Sequence, residues 1–149
     1  MTPRPPASCI LTAKSGDTTA SIAAARIGAE RFSELIERYG LETVSLRIGS
    51  SFPEPADRRM LATWLSYDDL ERLVLAALTA PVVDHTVVYG MSDNRLVWWD
   101  NSSASHLGYR PQDSSEPFRA AIETRQGAID PTQPAARFQG GAFVTKGPF

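Results

Sequence analysis

Alternation of apolar and polar residues predicts a short β-strand from Thr43 to Ile48. One face of this strand is apolar and consists of Val44, Leu46 and Ile48. Gly49 follows directly, and a residue without Cβ lets the backbone turn sharply or lie close to another group. The next ten residues, Ser50 to Arg59, contain two hydroxyl groups, two prolines and two arginines. We therefore expect a polar loop at the carboxyl end of a strand, where α/β proteins commonly bind ligands.

Helical periodicity is present on both sides of this strand. Before it, apolar residues recur at the spacing of one helix face, and Gly40 stands where glycine commonly ends a helix. These apolar residues are Phe32, Leu35, Ile36 and Tyr39. After the strand, Ser66 is suited to cap a helix, and the Asp68–Asp69 pair is suited to its positive end. The predicted buried face of this second helix consists of Leu70, Leu73, Val74, Ala77 and Leu78.

A second strand and a last helix follow along the chain. The run from His85 to Met91 predicts a buried strand that ends near Gly90. Ser115 is placed to cap a last helix with Pro117 in its first turn. The inward-facing residues predicted for this helix are Phe118, Ala121 and Ile122. The order helix, strand, helix, strand, helix predicts an α/β fold and fits half of a sandwich better than a finished one.

Composition narrows the classes of function. The chain has 149 residues, 42% hydrophobic and 21% charged, which is typical of one globular domain. A net charge of −2 gives no sign of a nucleic-acid or membrane partner, and no apolar run approaches the roughly 18 residues that span a bilayer. The only cysteine is Cys9, and the two histidines, His85 and His106, are isolated, so we expect no disulfide and no metal site. A cytoplasmic location is the default prediction.

From Glu30 to Phe149 the chain resembles the carboxyl-terminal half of uronate dehydrogenases. These enzymes are members of the extended short-chain dehydrogenase/reductase (NAD-dependent epimerase/dehydratase) superfamily. The resemblance is carried by Arg47-Ile-Gly-Ser-Ser, Pro53-Glu-Pro, Arg59-Met-Leu, Thr63-Trp-Leu-Ser-Tyr-Asp-Asp69, Trp98-Trp-Asp-Asn101, Leu107-Gly-Tyr-Arg-Pro111 and Arg137-Phe-Gln-Gly-Gly141. It implies that residues 30–149 form the carboxyl-terminal part of a Rossmann-type doubly wound parallel sheet, incomplete in this chain.

The resemblance also implies an activity and a set of site residues. The family oxidises C1 of galacturonate or glucuronate to the aldarolactone and passes the hydride to NAD⁺. By resemblance, Ser50 contacts the sugar acid, Ser51 contacts the nicotinamide side of NAD, and Arg59 binds the C6 carboxylate. A guanidinium suits that role because its fork binds a carboxylate through two hydrogen bonds. Arg58 has no such role and is expected to be a solvated charge; a homo-oligomer is compatible with the sequence.

Two departures from the family bear on catalysis. Counted back from Arg47, the Tyr and Lys of the family's Tyr-x-x-x-Lys pair fall on Ser21 and Ala25, so no catalytic residue is assigned. A serine cannot supply a phenolate base, and an alanine cannot lower a pKa. The chain also lacks a G-x-G-x-x-G turn for the dinucleotide. We therefore expect this chain alone to be inactive and doubt that it binds NAD by itself.

The first 29 residues are interpreted separately from the rest. Met1 to Thr19 is rich in Pro, Ser and Thr without periodicity, which is typical of disorder. An allowed choice of codons for Thr18 to Arg26 spells Tyr-x-x-x-Lys in another reading frame. The second interpretation is therefore that residues 1–29 are frame-shifted translation of a uronate dehydrogenase gene. Two other functions stay open: an NAD-dependent sugar epimerase or dehydratase, and a non-catalytic remnant that packs with a partner.

Overall fold

Residues 42–128, 130–137 and 145 are described by a computed structural model of the chain. Several sequence-based predictions lie outside these residues. One is the interpretation of residues 1–29, which includes Ser21 and Ala25. The others are the helix with its apolar face from Phe32 to Tyr39 and the glycine pair at 140–141.

The strand that ends at Ile48 pairs in parallel with the strand that ends at Gly90. Strand β1 is Thr43–Ile48 and strand β4 is His85–Gly90, with Thr43 opposite His85 and Ile48 opposite Gly90. Both predictions of strands are confirmed, the second one residue shorter than predicted. A smaller parallel pair, β2 (Ser50–Ser51) with β3 (Trp64–Leu65), follows β1 directly. The α/β architecture with parallel strands agrees with the sequence analysis.

Helix α2, Tyr67–Thr79, connects β3 to β4 and covers the sheet. Its predicted cap is confirmed, because the Ser66 side chain accepts a hydrogen bond from the Asp69 backbone N–H at 2.9 Å. Leu73 and Ala77 are buried as predicted, but Leu78 is 53% exposed. Each residue turns the helix by about 100°, so Leu78 faces away from the core when Ala77 faces it.

The core lies between α2, the β1–β4 pair and a 3₁₀ helix at Ser102–Leu107. Its buried apolar residues are Val44, Leu46, Leu73, Ala77, Val83, Val88, Ala104 and Leu107. A four-residue helix, α1 (Met60–Thr63), joins β2 to β3 and was not predicted. Among the described residues, no helix is both long and apolar enough to cross a membrane.

The last predicted helix is present but begins differently. A 3₁₀ turn at Glu116–Phe118 leads into α3, Arg119–Arg125, and a short helix α4 spans Pro134–Arg137. Ser115 does not cap this turn, because its hydroxyl donates to the Leu61 carbonyl oxygen at 2.7 Å. Ile122 is fully buried as predicted. Ala121 is exposed, which contradicts its predicted inward orientation and follows from its position one residue around the helix.

Candidate functional site

The glycine at the end of β1 is needed for a close approach of two other residues. A Cβ atom at Gly49 would lie 2.5 Å from Cη2 of Trp99 and 2.8 Å from the carbonyl oxygen of Thr63. Both distances are shorter than a carbon atom tolerates, and the carbonyl is part of the backbone and cannot easily move. The interpretation of Gly49 as a close-approach residue is therefore supported, and the group that approaches it is a tryptophan ring.

The two serines after Gly49 differ in their hydrogen bonding. Ser50 is buried, and its Oγ lies 3.1 Å from Oγ1 of the fully buried Thr63. The Oγ atom of Ser51 is also buried, yet it has no hydrogen-bond partner among the described residues. Most buried hydroxyl groups in proteins are hydrogen-bonded, so an unpaired one indicates a ligand or water that completes the site. Ser51 is the stronger candidate for a ligand contact on this ground.

Arg59 lies directly before α1, with its guanidinium over an aromatic ring. Its Cζ atom is 5.4 Å from the centroid of the Trp98 ring, within the range of a cation–π interaction. Burial lowers the pKa of Arg59, and the neighbouring Asp57 carboxylate raises it. Arginine starts from a pKa so high that the side chain stays charged at neutral pH. The loop thus presents a partly desolvated, permanent cation.

Arg59 and Trp98 line the same cleft, which has a volume of about 620 Å³. Residues from Asp57 to Ala62, in the loop and the start of α1, form one wall. Leu96 and Trp98 form another, and residues between Gln126 and Ala136 form the third. This volume is in the usual range of small-molecule sites. The cleft therefore combines apolar side chains with two arginines, Arg58 and Arg59, and two carboxylates, Asp57 and Asp130. A guanidinium in such a wall can bind an anionic group.

Arg58, beside Arg59, connects the loop to the end of α3. Its backbone N–H donates to Oε1 of Gln126 at 3.0 Å, and its Nε donates to the Gln126 carbonyl oxygen at 2.9 Å. Its Nη1 is also 3.4 Å from a carboxylate oxygen of Glu123. The expectation that Arg58 is a solvated charge is therefore wrong. Sequence alone gave no sign of these contacts, because the partner is 68 residues away.

Trp98 and Trp99 have different surroundings although they are neighbours. The Trp99 ring stacks on the Tyr89 ring with centroids 5.2 Å apart and an angle of 7° between the planes. The Trp98 ring meets the Trp99 ring edge-on at 6.3 Å and is 46% exposed in the cleft. Two adjacent tryptophans usually pack, and that holds for Trp99. Trp98 is the site residue that the sequence analysis missed.

Asp69 has a structural role and lies outside the cleft. The side chain is fully buried, and its two carboxylate oxygens accept the backbone N–H groups of Gln112 and Asp113 at 2.9 and 3.0 Å. Arg72 adds an ion pair at 2.7 Å. The carboxylate thus joins the first turn of α2 to a loop more than 40 residues away. The sequence analysis predicted only its favourable position at the positive end of the helix and not this connection.

Comparison with known proteins identifies similar chains. No family model matches the sequence. A curated uronate dehydrogenase of Pseudomonas syringae pv. tomato is 59% identical over 122 residues, which is 82% of this chain and 44% of the relative. The crystal structure of glucuronic acid dehydrogenase from Chromohalobacter salexigens superposes with a TM-score of 0.84 at 44% identity, over 94% of this chain and 53% of that chain.

A further solved structure contains a cofactor. It is a mutant of uronate dehydrogenase from Agrobacterium tumefaciens complexed with NAD, with a TM-score of 0.80 and 39% identity, over 92% of this chain and 51% of that chain. The chain spans about half the length of the relatives that it matches. The predicted α/β fold of Rossmann type is confirmed by these neighbours, whereas the roles of Ser50, Ser51 and Arg59 stay predictions.

Proposed function

We propose that this chain, which belongs to the uronate dehydrogenases and matches a carboxyl-terminal part of them, supplies the side of the active site that recognises a uronic acid. The observation that carries the proposal is the position of Arg59, half-buried in the wall of a cleft with its guanidinium over Trp98. A uronic acid differs from a neutral hexose by its C6 carboxylate. A guanidinium binds such a group through two charge-assisted hydrogen bonds.

The two serines have separate roles in this proposal. Ser50 contacts the sugar acid from the end of β1, and its bond to Thr63 fixes where its hydroxyl lies. Ser51 contacts the nicotinamide side of NAD, which is supported by its buried hydroxyl without a described partner. NAD, when bound, accepts the hydride from C1 of the sugar. The residues of this chain position the sugar for that transfer and do not themselves take the proton.

The chemical step needs groups that we do not assign to this chain. The positions that correspond to the family's Tyr and Lys are Ser21 and Ala25, and the sequence has no glycine-rich turn for the dinucleotide. We therefore propose that the chain alone binds uronates weakly and oxidises none. The alternative of a sugar epimerase or dehydratase is less favoured, because the similar proteins named above are uronate dehydrogenases. A cytoplasmic location and a homo-oligomer stay sequence-based predictions.

Fusion of residues 30–149 to the amino-terminal part of the Pseudomonas syringae relative tests this proposal. The fused protein should reduce NAD with galacturonate or glucuronate, whereas the 149-residue chain should not. Circular dichroism and gel filtration show whether each protein is folded. A folded fusion that oxidises neutral hexoses as well as it oxidises uronates would contradict the proposed role of Arg59. Turnover by the 149-residue chain would contradict the proposed lack of catalytic groups.

A further inference from the structure

We propose that Trp98 is a positioning residue for Arg59 and, through it, a determinant of selectivity for uronates over neutral sugars. This inference rests on the proposed function, because it requires that Arg59 bind the sugar carboxylate. It concerns a residue that appeared in the sequence analysis only within the Trp98-Trp-Asp-Asn101 motif. The evidence is the contact between the two side chains and the way in which the Trp98 ring is held.

The contact between Trp98 and Arg59 does not itself use the N–H donors of the guanidinium. An aromatic face attracts a guanidinium through its quadrupole and does not occupy an N–H donor, whereas an acidic side chain in the same place would accept one or two of the five. Trp98 therefore holds the cation at 5.4 Å without competing with an anionic ligand. Both side chains line the cleft, so the ring fixes the guanidinium where the ligand enters.

The Trp98 ring is itself held by a series of contacts that leads back to the sheet. It lies edge-on to Trp99, which stacks on Tyr89 of β4 and lies against the backbone of Gly49. The segment is also fastened to β4, because the amide side chain of Asn101 accepts from the Tyr89 N–H at 2.9 Å and donates to the Tyr89 carbonyl at 2.8 Å. The ring on which Arg59 rests is thus fixed relative to both strands.

Positioning matters because an arginine side chain loses much rotamer freedom when it binds a ligand. Fixing such a side chain before binding removes part of that entropic cost from the binding step. A cation–π contact is stronger when it is shielded from solvent, and a three- to tenfold change in binding corresponds to about 0.7–1.4 kcal/mol. With Trp98 about half exposed, we expect its loss to weaken uronate binding roughly three- to tenfold.

A double-mutant cycle on the full 149-residue chain tests the inference. The variants are Trp98→Leu, Trp98→Phe, Arg59→Ala and the double variant Arg59→Ala/Trp98→Leu. Dissociation constants for galacturonate and for galactose are measured by NMR titration. Trp98→Leu should weaken galacturonate binding roughly three- to tenfold, and Trp98→Phe should recover much of the loss because it keeps an aromatic face. Galactose binding should be unchanged by either substitution.

The double variant separates positioning from a general structural effect. If Trp98 acts through Arg59, Trp98→Leu should change galacturonate affinity by less than about twofold in the Arg59→Ala background. Phe52→Leu is the matched control, because Phe52 is 48% exposed, similar to Trp98, and does not line the cleft. It should leave galacturonate affinity unchanged.

The results distinguish failure of this inference from failure of the proposed function. An unchanged affinity in Trp98→Leu, with weakened binding in Arg59→Ala, overturns the inference and leaves the proposed function intact. An equal effect of Trp98→Leu with and without Arg59 also overturns the inference alone. Absence of galacturonate binding by the unaltered chain, or unchanged binding in Arg59→Ala, overturns the proposed function and this inference with it.

Discussion

Replacement of Arg59 by alanine in the fused enzyme should lower kcat/KM for uronates by about one to two decades. A hydrogen bond to a charged group contributes about 1.5–3 kcal/mol, and about 1.4 kcal/mol corresponds to one decade in rate. The upper part of that range needs a desolvated pair, and Arg59 is only half-buried. Arg59→Lys should recover little, because an ammonium keeps the charge but loses the planar fork.

Steady-state NADH formation with galacturonate and with a neutral hexose measures this effect. The neutral sugar should be a poor substrate from the start and should lose little more in Arg59→Ala. The matched control is Arg110→Ala, because Arg110 is an exposed arginine outside the cleft. Arg58 is not a suitable control, since its side chain connects the loop to α3. Equal losses in Arg59→Ala and Arg110→Ala, or equal losses for both sugars, would refute the assignment.

Two further substitutions test structural contacts by chemical denaturation, one at the cleft and one outside it. Arg58→Ala should lower the free energy of unfolding by about 1 kcal/mol, because it removes the side-chain bond to Gln126 and a partly exposed ion pair; an unchanged value would restore the view of Arg58 as a solvated charge. Asp69→Asn should cost roughly 2–3 kcal/mol, since an amide offers one acceptor oxygen where a buried carboxylate accepts two backbone N–H groups. Asp68→Asn, on the exposed neighbour, is its control.

Regular elements were predicted well from the sequence because their signals are local. The strand β1 and the cap at Ser66 were each predicted from residues within six positions of each other, and both are confirmed. The alternation itself is not seen in the burial of β1, because Thr43 and Ser45 are buried as well as Val44 and Leu46. The predictions for Ser115 and Arg58 were wrong because contacts distant in sequence changed the outcome. Ser115 has the composition of a cap, but its hydroxyl bonds to a loop 54 residues away. Such a partner leaves no periodic signal in the chain.

The candidate site likewise contains one residue that was predicted, Arg59, and one that was not, Trp98. Resemblance pointed to Arg59, and the structure places that side chain in a cleft with Trp98. No role was assigned to Trp98 from the sequence, because two adjacent tryptophans give no hint of which one faces solvent. The distinction depends on Tyr89, which stacks on Trp99 and leaves Trp98 edge-on and exposed. Which of the two tryptophans stacks on Tyr89 depends on how the segment after β4 lies against that strand, and this is seen only in the structure.

The proposed role of Arg59 makes recognition of the substrate separable from hydride transfer for a physical reason. The contacts that position Arg59 run from Gly49 through Trp99 to Trp98, and Arg58 fastens the same loop to α3, all within the described residues. None of them involves a dinucleotide or a catalytic base. The proposed carboxylate site would therefore keep its geometry independently of the chemical step. Substitution of Arg59 should therefore weaken the binding of a uronate. Loss of the groups that accept the proton and the hydride should instead prevent its oxidation and leave binding in place.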